Sequence, residues 1–295
     1  MSRLPFISVI TPTFNASKTI RACLESVAQQ NYPHLEHWII DGLSTDDTMS
    51  IVEEYARQYP HIRYVSEKDK GIYDAMNKGI DLAKGDFLYF LGADDVLLPG
   101  IINQLTHELD WQQYDLIYGK VRYPSAICGR AFTKEALTPD LCISPFIHLF
   151  VHHQGSFIRK NLFGRFGKYE PRYPIGADVH FFMKIINHTD VRSTFVDEEI
   201  AFLGDQGMSC QKEEMNLRFD FPILARKYLG ISIDEKAYYR HFAKYPFDAL
   251  YRGNWAEGLK WILRAATRTK DWTFYIKNSL YWLRERLKKK NVYKT

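Results

Sequence analysis

Short apolar runs alternate with amphipathic stretches along the first third of the chain. The runs are rich in β-branched and aromatic side chains and are bounded by polar or turn-forming residues, a pattern typical of buried strands. Between them, apolar side chains recur at helical spacing. The predicted strands are Phe6–Thr11, Leu35–Asp41, Ile62–Ser66 and Phe87–Leu91, and the predicted helices are Thr19–Gln30, one that ends near Tyr59, and Tyr73–Ala83.

Strands that alternate with single helices predict βαβ units and a parallel sheet. Beyond Pro99 the order is less regular. We expect an α/β fold with a Rossmann-like, mostly parallel central sheet and flanking helices, followed by a helical C-terminal extension. The boundary is expected near residue 230, which gives a catalytic domain over 1–230 and an extension over 231–295. The later predicted elements are a strand at Asp115–Tyr118 and helices at Val179–Asn187, Glu213–Leu229 and within 248–290.

Charge is unevenly distributed over the 295 residues, whose net charge is +4. From Lys236 to Thr295 there are 15 Lys and Arg against 4 Asp and Glu, a balance of +11, so the rest of the chain carries −7. Hydrophobic residues make up 46% and charged residues 25%, which is ordinary for a folded globular protein. The acidic part and the basic tail are therefore expected to have different roles.

The cysteines and the apolar runs indicate a cytoplasmic protein. Cys23, Cys128, Cys142 and Cys210 form no C-x-x-C pair and no zinc-finger spacing, which fits free thiols in a reducing compartment. The N-terminal residues lack the apolar core of a signal peptide. No apolar run reaches the roughly 18 residues of a membrane span.

Polar and acidic residues follow three of the predicted strands. In an open parallel sheet, ligands bind at the carboxyl ends of the strands. Carboxylates gathered there repel one another unless a hard cation neutralises them, and oxygen ligands suit Mg²⁺ or Mn²⁺ together with substrate phosphates. The pattern favours a nucleoside diphosphate ligand, although the P-loop and dinucleotide-binding fingerprints are missing. The three clusters are Thr11-Pro12-Thr13-Phe14-Asn15, Asp41 to Thr48, and Gly92-Ala93-Asp94-Asp95.

These clusters, taken in order and with the segment Gly71-Ile72-Tyr73-Asp74-Ala75-Met76-Asn77-Lys78-Gly79, resemble the motifs of family 2 glycosyltransferases. The resemblance covers about Phe6 to Leu203. It implies a GT-A fold and an inverting enzyme that uses a nucleotide sugar, with a UDP-sugar as the expected donor. The Gly71–Gly79 segment is similar to that of bacterial enzymes of exopolysaccharide and O-antigen synthesis.

The resemblance also implies roles for individual residues. Asp41 would accept a hydrogen bond from the base, Asp94 would contact the ribose side of the donor, and Asp95 would bind a divalent metal, Mn²⁺ or Mg²⁺, that bridges the diphosphate. Leu43 stands where relatives have Ser, a departure that affects the loop rather than Asp41 itself. The other residues assigned to the donor are Thr11, Pro12, Thr13, Asn15, Asp74 and Asn77.

The general base implied by the resemblance is Asp178, a carboxylate that opens a predicted helix. One base would deprotonate the acceptor hydroxyl in a single displacement. His153, in the run His152-His153-Gln154, is assigned to the acceptor side, with a purely structural histidine as the alternative. Each cluster also has a structural reading as a helix cap or a surface ion pair.

Two other functions remain open at this point. A sugar-phosphate nucleotidyltransferase would keep the architecture and change the reaction, and a non-catalytic sugar-binding or assembly protein would keep only the fold. The tail interleaves Trp and Tyr with Lys and Arg, which favours a membrane interface over nucleic acid. The resemblance implies a glycan acceptor, lipid-linked, at the inner face of the cell membrane. A solvated helical face or an oligomer contact is the alternative for the tail.

Overall fold

A computed structural model describes residues 3–122, 151–204, 215–243, 246–247, 249–250, 254–279 and 281. Their chain divides into two compact units, the first up to residue 204 and the second from Met215 onward. Gly230, near which the domain boundary is predicted, lies within the second unit, where its left-handed backbone ends a helical stretch. The cysteines other than Cys23 lie outside the described residues.

One eight-stranded sheet organises the first unit. Its order is β3-β2-β1-β4-β7-β6-β8-β5, with parallel pairing from β3 through β4 and between β6 and β8. β7 runs antiparallel to both neighbours, and β5 runs antiparallel to β8. The strands are β1 (Ile7–Thr13), β2 (Leu35–Asp41), β3 (Ile62–Ser66), β4 (Phe87–Phe90), β5 (Val96–Leu97), β6 (Leu116–Arg122), β7 (Ser156–Arg159) and β8 (Ser193–Phe202).

Six helices accompany this sheet among the described residues. They are α1 (Ile20–Ala28), α2 (Thr48–Gln58), α3 (Ile72–Leu82), α4 (Ile101–Glu108), α5 (Asn161–Phe166) and α6 (Ala177–Ile185). The predicted α/β fold with a mostly parallel sheet is confirmed. Strands β5, β7 and β8 were not predicted. β5 and β7 have only two and four residues, and β8 carries three consecutive acidic residues that obscure its alternation.

Strand β1 extends beyond its neighbour β4, and this leaves a gap between the two strands at one end of the sheet. All seven β1 residues are buried, and all seven pair with β2, whereas the pairing with β4 stops at Ile10. Pro12 therefore lies where β1 has no β4 partner, so its missing N–H removes no bond on that side. The gap is at the carboxyl ends of β1 and β4, where the polar clusters begin.

Helix α3 packs unusually close to β1. A Cβ on Gly79 would lie 2.4 Å from Cγ2 of Ile10, so only glycine permits this approach. The helix begins after Gly71, whose φ of 122° is a conformation that other residues rarely adopt. These two glycines set the height of α3 over the sheet and thereby the position of the side chains in its first turn.

The second unit contains helices in its described part. They are α7 (Met215–Leu224), continued by a π-helical turn over Ala225–Leu229, then α8 (Glu235–Phe242), α9 (Trp255–Thr269) and helical residues at 272–279. Phe219, Tyr239, Phe242 and Trp261 pack together in its core, with ring centroids 5.1 to 6.2 Å apart. Among the residues that the structure describes, no helix has the length and apolar character needed to cross a membrane.

Candidate active site

The loops after β1 and β2 are joined by hydrogen bonds. The side-chain oxygen of Asn15 accepts from the Thr45 amide at 2.8 Å, and the Asn15 amide donates to the Ser44 hydroxyl at 2.8 Å. The Ala16 amide donates to Thr48 Oγ1 at 2.8 Å, and the Ser17 amide donates to Asp46 at 3.1 Å. Asn15 has a φ of 49°, a backbone conformation that asparagine tolerates. Both loops are thereby held as one rim.

Asp41 lies fully buried at the end of β2. Its carboxylate accepts hydrogen bonds from the amide and hydroxyl of Ser44 and, at 2.6 Å, from the hydroxyl of Ser66. These donors keep the carboxylate in one orientation at the cleft end of the sheet. Ser66 closes β3, so the fixed geometry of Asp41 depends on two strands and one loop.

The first polar cluster divides between the core and the rim. The Thr11 hydroxyl is fully buried and lies 2.9 Å from Nε2 of His37, and the Thr13 hydroxyl donates to the Thr11 carbonyl at 3.4 Å. Pro12 is also buried, whereas Phe14 is 62% exposed. The Thr11 hydroxyl therefore makes its contacts inside the sheet, whereas Phe14 and Asn15 are the exposed residues of this cluster.

Asp94 and Asp95 follow β4. Asp95 is only 3% exposed and accepts hydrogen bonds from the Gly92 amide at 3.0 Å, the Gly204 amide at 2.8 Å and the Gln154 side chain at 3.2 Å. Burial, and next the charge of Asp94, raise the pKa of Asp95 above its ordinary value. A cation bound beside the two carboxylates would offset this cost of ionisation.

Two glycines make room for this acidic pair. A Cβ on Gly92 would lie 2.6 Å from Oδ2 of Asp95, and a Cβ on Gly204 would lie 2.5 Å from Oδ2 of Asp94. Within the described part of the chain, no group of three or more His, Cys, Asp and Glu side chains could hold a metal ion. A metal held by Asp94 and Asp95 would be completed by substrate oxygens, as Mg²⁺ commonly is.

Asp178 lies in the first turn of α6 and is held by two side chains from distant parts of the chain. Nδ1 of His153 is 2.8 Å from its Oδ2, and the Tyr73 hydroxyl is 2.5 Å from its Oδ1. Burial alone would raise the pKa of Asp178, but the hydrogen bond and charge of His153 and the hydrogen bond from Tyr73 hold that pKa below its ordinary value. The Asp178 side chain is 14% exposed, so an ionised carboxylate remains accessible.

One short turn connects the two acidic sites. His153 and Gln154 are adjacent in the 3-10 turn His153–Gly155, yet His153 bonds Asp178 and Gln154 bonds Asp95. The sequence assigned His153 to the acceptor side and did not select Gln154 or Tyr73. The run His152-His153-Gln154 was the available signal for Gln154, because it places hydrogen-bonding side chains just before β7.

Asn77 and Asp74, the two residues of α3 predicted to bind the donor, make hydrogen bonds within the protein. The Asn77 side chain donates to the Tyr169 carbonyl at 2.9 Å and accepts from the Tyr169 amide at 3.0 Å. Asp74 accepts from the Lys70 amide at 3.0 Å and lies 3.9 Å from the Lys78 ammonium. Asn77 thus binds the segment that precedes α6, and Asp74 stabilises the loop before α3.

Comparison with known proteins adds to this geometry. The model of the family "Glycosyl transferase family 2" matches residues 8–186. A PGL/p-HBAD biosynthesis glycosyltransferase of Mycobacterium tuberculosis is 32% identical over 210 residues, which cover 69% of this chain and 78% of that protein. A chondroitin synthase of Escherichia coli is 38% identical over 108 residues, 37% of this chain and 16% of that protein.

Solved structures share the fold. TarS of S. aureus, in complexes with UDP and with UDP-GlcNAc, superposes with a TM-score of 0.65 at 18% identity, covering 97% of this chain and 92% of that one. The mannosyltransferase PcManGT from Pyrobaculum calidifontis, in complex with GDP-Man and Mn²⁺, superposes with a TM-score of 0.56 at 20% identity, covering 95% and 88%. The family match and the relative show a glycosyltransferase, and the superposed structures show that its fold is of the GT-A type. The chain belongs to glycosyl transferase family 2.

The joined loops predict a pH-dependent contribution to stability from Asp46. Hydrogen bonds from Thr48 and Ser17 hold the pKa of Asp46 below its ordinary value. A lowered pKa in the folded state stabilises the fold above about pH 4, the ordinary value for Asp, and this contribution is lost as pH falls through the folded-state pKa. Asp46→Asn should therefore lower the free energy of unfolding at pH 7, and its difference from wild type should shrink at pH 3, as measured by urea denaturation.

The neighbouring residue supplies the control for that measurement. Asp47 is exposed and its side chain makes no capping hydrogen bond at the start of α2. Asp47→Asn changes the net charge equally and should have a smaller effect at pH 7. Equal effects of the two substitutions would show that charge alone, rather than the bonds between the loops, is responsible.

Proposed function

We propose that the protein is an inverting, metal-dependent glycosyltransferase that moves a sugar from a nucleoside diphosphate sugar, most simply a UDP-sugar, to a glycan acceptor. The observation that carries the proposal is a pair of acidic sites that His153 and Gln154 of one 3-10 turn bond, with pKa values shifted in opposite directions. Asp178 is held ionised by His153 and Tyr73, while burial and Asp94 disfavour ionisation of Asp95. Carboxylates with pKa values pushed apart suit different roles in one reaction.

Asp94 and Asp95 are suited to the donor side. Gly92 and Gly204 allow the two carboxylates to lie close to the backbone, and a divalent cation beside them would balance both the carboxylates and a diphosphate. When bound, such a metal would stabilise the negative charge of the departing diphosphate. The complexes of TarS with UDP-GlcNAc and of PcManGT with GDP-Man and Mn²⁺ support a donor of this chemical class.

Asp41 would complete the donor side. Its carboxylate is fixed by Ser44 and Ser66 at the end of β2, and it would accept a hydrogen bond from the base of the nucleotide once the Ser44 loop moves aside to expose it. Asn15, which is exposed on the rim, would border the same pocket.

Asp178 would act on the acceptor. An acceptor hydroxyl gives its proton to the Asp178 carboxylate while its oxygen attacks the anomeric carbon of the donor sugar. The new bond from carbon to oxygen forms as the bond from the anomeric carbon to the phosphate oxygen breaks, and the nucleoside diphosphate departs with that electron pair. A base within reach of the attacking oxygen contributes about 10²–10⁴-fold to such a step.

The acceptor side of the proposal includes a membrane surface. Helix α9 exposes an apolar stripe of Trp255, Leu259 and Leu263, which are 41%, 46% and 52% exposed and recur at i, i+4 spacing. Lys260 is exposed on the same helix. Trp beside apolar and basic side chains suits the interface of an anionic bilayer. We place the enzyme at the cytoplasmic face of the membrane, where it would extend a lipid-linked glycan in surface polysaccharide synthesis.

The metal assignment is tested at Asp95. Asp95→Asn removes the charge that would hold the cation, so the rise in unfolding temperature that UDP and Mn²⁺ together give to the wild type should be lost, with Mn²⁺ affinity lower by roughly 10–100-fold or more. Asp81→Asn is the control, because Asp81 is exposed and pairs with Lys168. A full Mn²⁺-dependent shift in the Asp95 variant would remove this residue from the donor site.

The base assignment is tested at Asp178. Asp178→Asn keeps the shape and removes the proton acceptor, so turnover should fall by roughly 10²-fold or more while the affinity for the nucleotide sugar stays near that of the wild type. Donor binding by calorimetry and sugar transfer by product analysis separate the two effects. Loss of donor binding with normal turnover of bound donor would instead make Asp178 a donor ligand.

A single displacement predicts the stereochemistry of the product. The anomeric centre is attacked once, from the side opposite the diphosphate, so an α-linked nucleotide sugar should give a β-linked glycoside. The coupling constant of the anomeric proton in the product decides the outcome. Retention of configuration would contradict a mechanism with one base.

The membrane surface is tested by two substitutions that each add one negative charge. Leu263→Glu lies on the apolar stripe of α9, whereas Ser50→Glu lies at an exposed position of α2 in the first unit. Binding to vesicles that contain phosphatidylserine should weaken about 10-fold more for Leu263→Glu, because an apolar side chain would no longer be buried in the interface. Equal weakening would assign the binding to charge alone, and no binding of the wild type at low salt would reject the membrane proposal.

A further inference from the structure

The hydroxyl of Tyr73 contacts two groups near the start of α6. It lies 2.5 Å from Oδ1 of Asp178 and 2.7 Å from the carbonyl oxygen of Ile175. A phenol has one proton to donate, and a bond to an ionised carboxylate is the stronger of the two choices. Burial, and next the charge of Asp178, raise the pKa of Tyr73 well above its ordinary value, so the hydroxyl keeps its proton at neutral pH.

The ring of Tyr73 is fixed from several directions. Tyr73 is 5% exposed, and its ring centroid lies 5.3 Å from that of Tyr169. Asn77, one helical turn farther along α3, bonds both backbone groups of Tyr169. Gly79 holds the same helix against Ile10 of β1. The position of the Tyr73 hydroxyl is therefore fixed by the packing of α3 on the central sheet rather than by a loop.

The groups that face Asp178 come from three other segments and from α6 itself. His153, from the 3-10 turn before β7, bonds Oδ2, and Tyr73, from α3, bonds Oδ1. For Tyr169, from the segment before α6, burial and next the charge of Asp178 raise the pKa well above its ordinary value. On α6 itself, the Val179 amide also favours the ionised form. Each carboxylate oxygen thus has its own side-chain donor, which leaves the carboxylate little freedom to rotate.

We propose that Tyr73 is a positioning residue for the general base: its hydroxyl orients the Asp178 carboxylate toward the acceptor and keeps it ready to take a proton. This inference rests on the proposed role of Asp178. It assigns a purpose to the Gly71–Gly79 segment, in which Tyr73 orients the base, Asn77 anchors the neighbouring backbone and Gly79 sets the height of the helix. From the sequence, only Asp74 and Asn77 of this segment were assigned, both to the donor.

The test is Tyr73→Phe, which removes one oxygen. Turnover should fall about 10-fold, the value expected for losing a hydrogen bond to a charged group, while the donor KM stays unchanged. The carboxylate is harder to ionise without this bond, so its pKa rises, and the acidic limb of the pH profile of kcat should move about one unit to higher pH. A merely structural role of Tyr73 would not move that limb.

Tyr32→Phe is the matched control. Tyr32 is 6% exposed, and its hydroxyl donates to the backbone carbonyl of Pro5 at 2.7 Å, away from Asp178. Its removal should leave the pH profile as in the wild type. Unfolding temperatures of both variants show whether each loss of turnover follows loss of fold. If Tyr73→Phe fails to fold, the Asp178 carboxyl is titrated in the wild type by ¹³C NMR, with Asp178→Asn for assignment, and a pKa at or above the ordinary Asp value overturns the proposal.

The outcomes separate this inference from the proposed function. If Asp178→Asn retains full turnover, Asp178 is not the base and both statements fail. If Asp178→Asn abolishes turnover while Tyr73→Phe and Tyr32→Phe behave alike, the base assignment stands and the positioning role of Tyr73 is wrong. In the Asp178→Asn background, Tyr73→Phe should cause no further loss of turnover, and an additional 10-fold loss there would show that Tyr73 acts on some other group.

Discussion

The structure depends on keeping carboxylates buried at one edge of a parallel sheet. Each buried carboxylate carries a large desolvation cost unless nearby groups donate hydrogen bonds or supply positive charge. Asp41, Asp95 and Asp178 meet this requirement with separate donors: serine side chains, backbone amides with a glutamine, and a histidine with a tyrosine. The loops of the cleft are shaped by these bonds, because each donor must be held within about 3 Å of its carboxylate.

The kind of donor decides what each carboxylate can do. Asp178 has partners that favour its ionised form and hold its pKa low, so it can accept a proton. Asp95 is opposed by Asp94, and its pKa is raised. Ionisation of Asp95 beside Asp94 is costly without a cation and becomes favourable with one. The proposed mechanism uses both behaviours, and the 3-10 turn that carries His153 and Gln154 bonds to both acids.

Local sequence patterns were sufficient for the half of the sheet built from βαβ units. β2 and β3 have the bounds that the apolar runs predict, and the acidic residues do follow strands. Roles inside the motifs were harder to predict, because the type of a residue does not state its direction. Thr11 points into the core toward His37, and Asn77 bonds the backbone of Tyr169. From the sequence alone Tyr73 is typical of a core aromatic residue, and only the folded structure shows that its hydroxyl contacts Asp178.

The sequence by itself determined the α/β class, the family and the positions of the acidic residues, because these follow from periodicity and from motifs that are contiguous in the chain. Only the tertiary structure decided the partners of those acids. Asp178 meets Tyr73 across 105 residues, and Asp95 meets Gln154 across 59 and Gly204 across 109. Contacts at such separations depend on sheet order and helix packing, and the ionisation of a buried carboxylate depends on those contacts rather than on its neighbours in the chain.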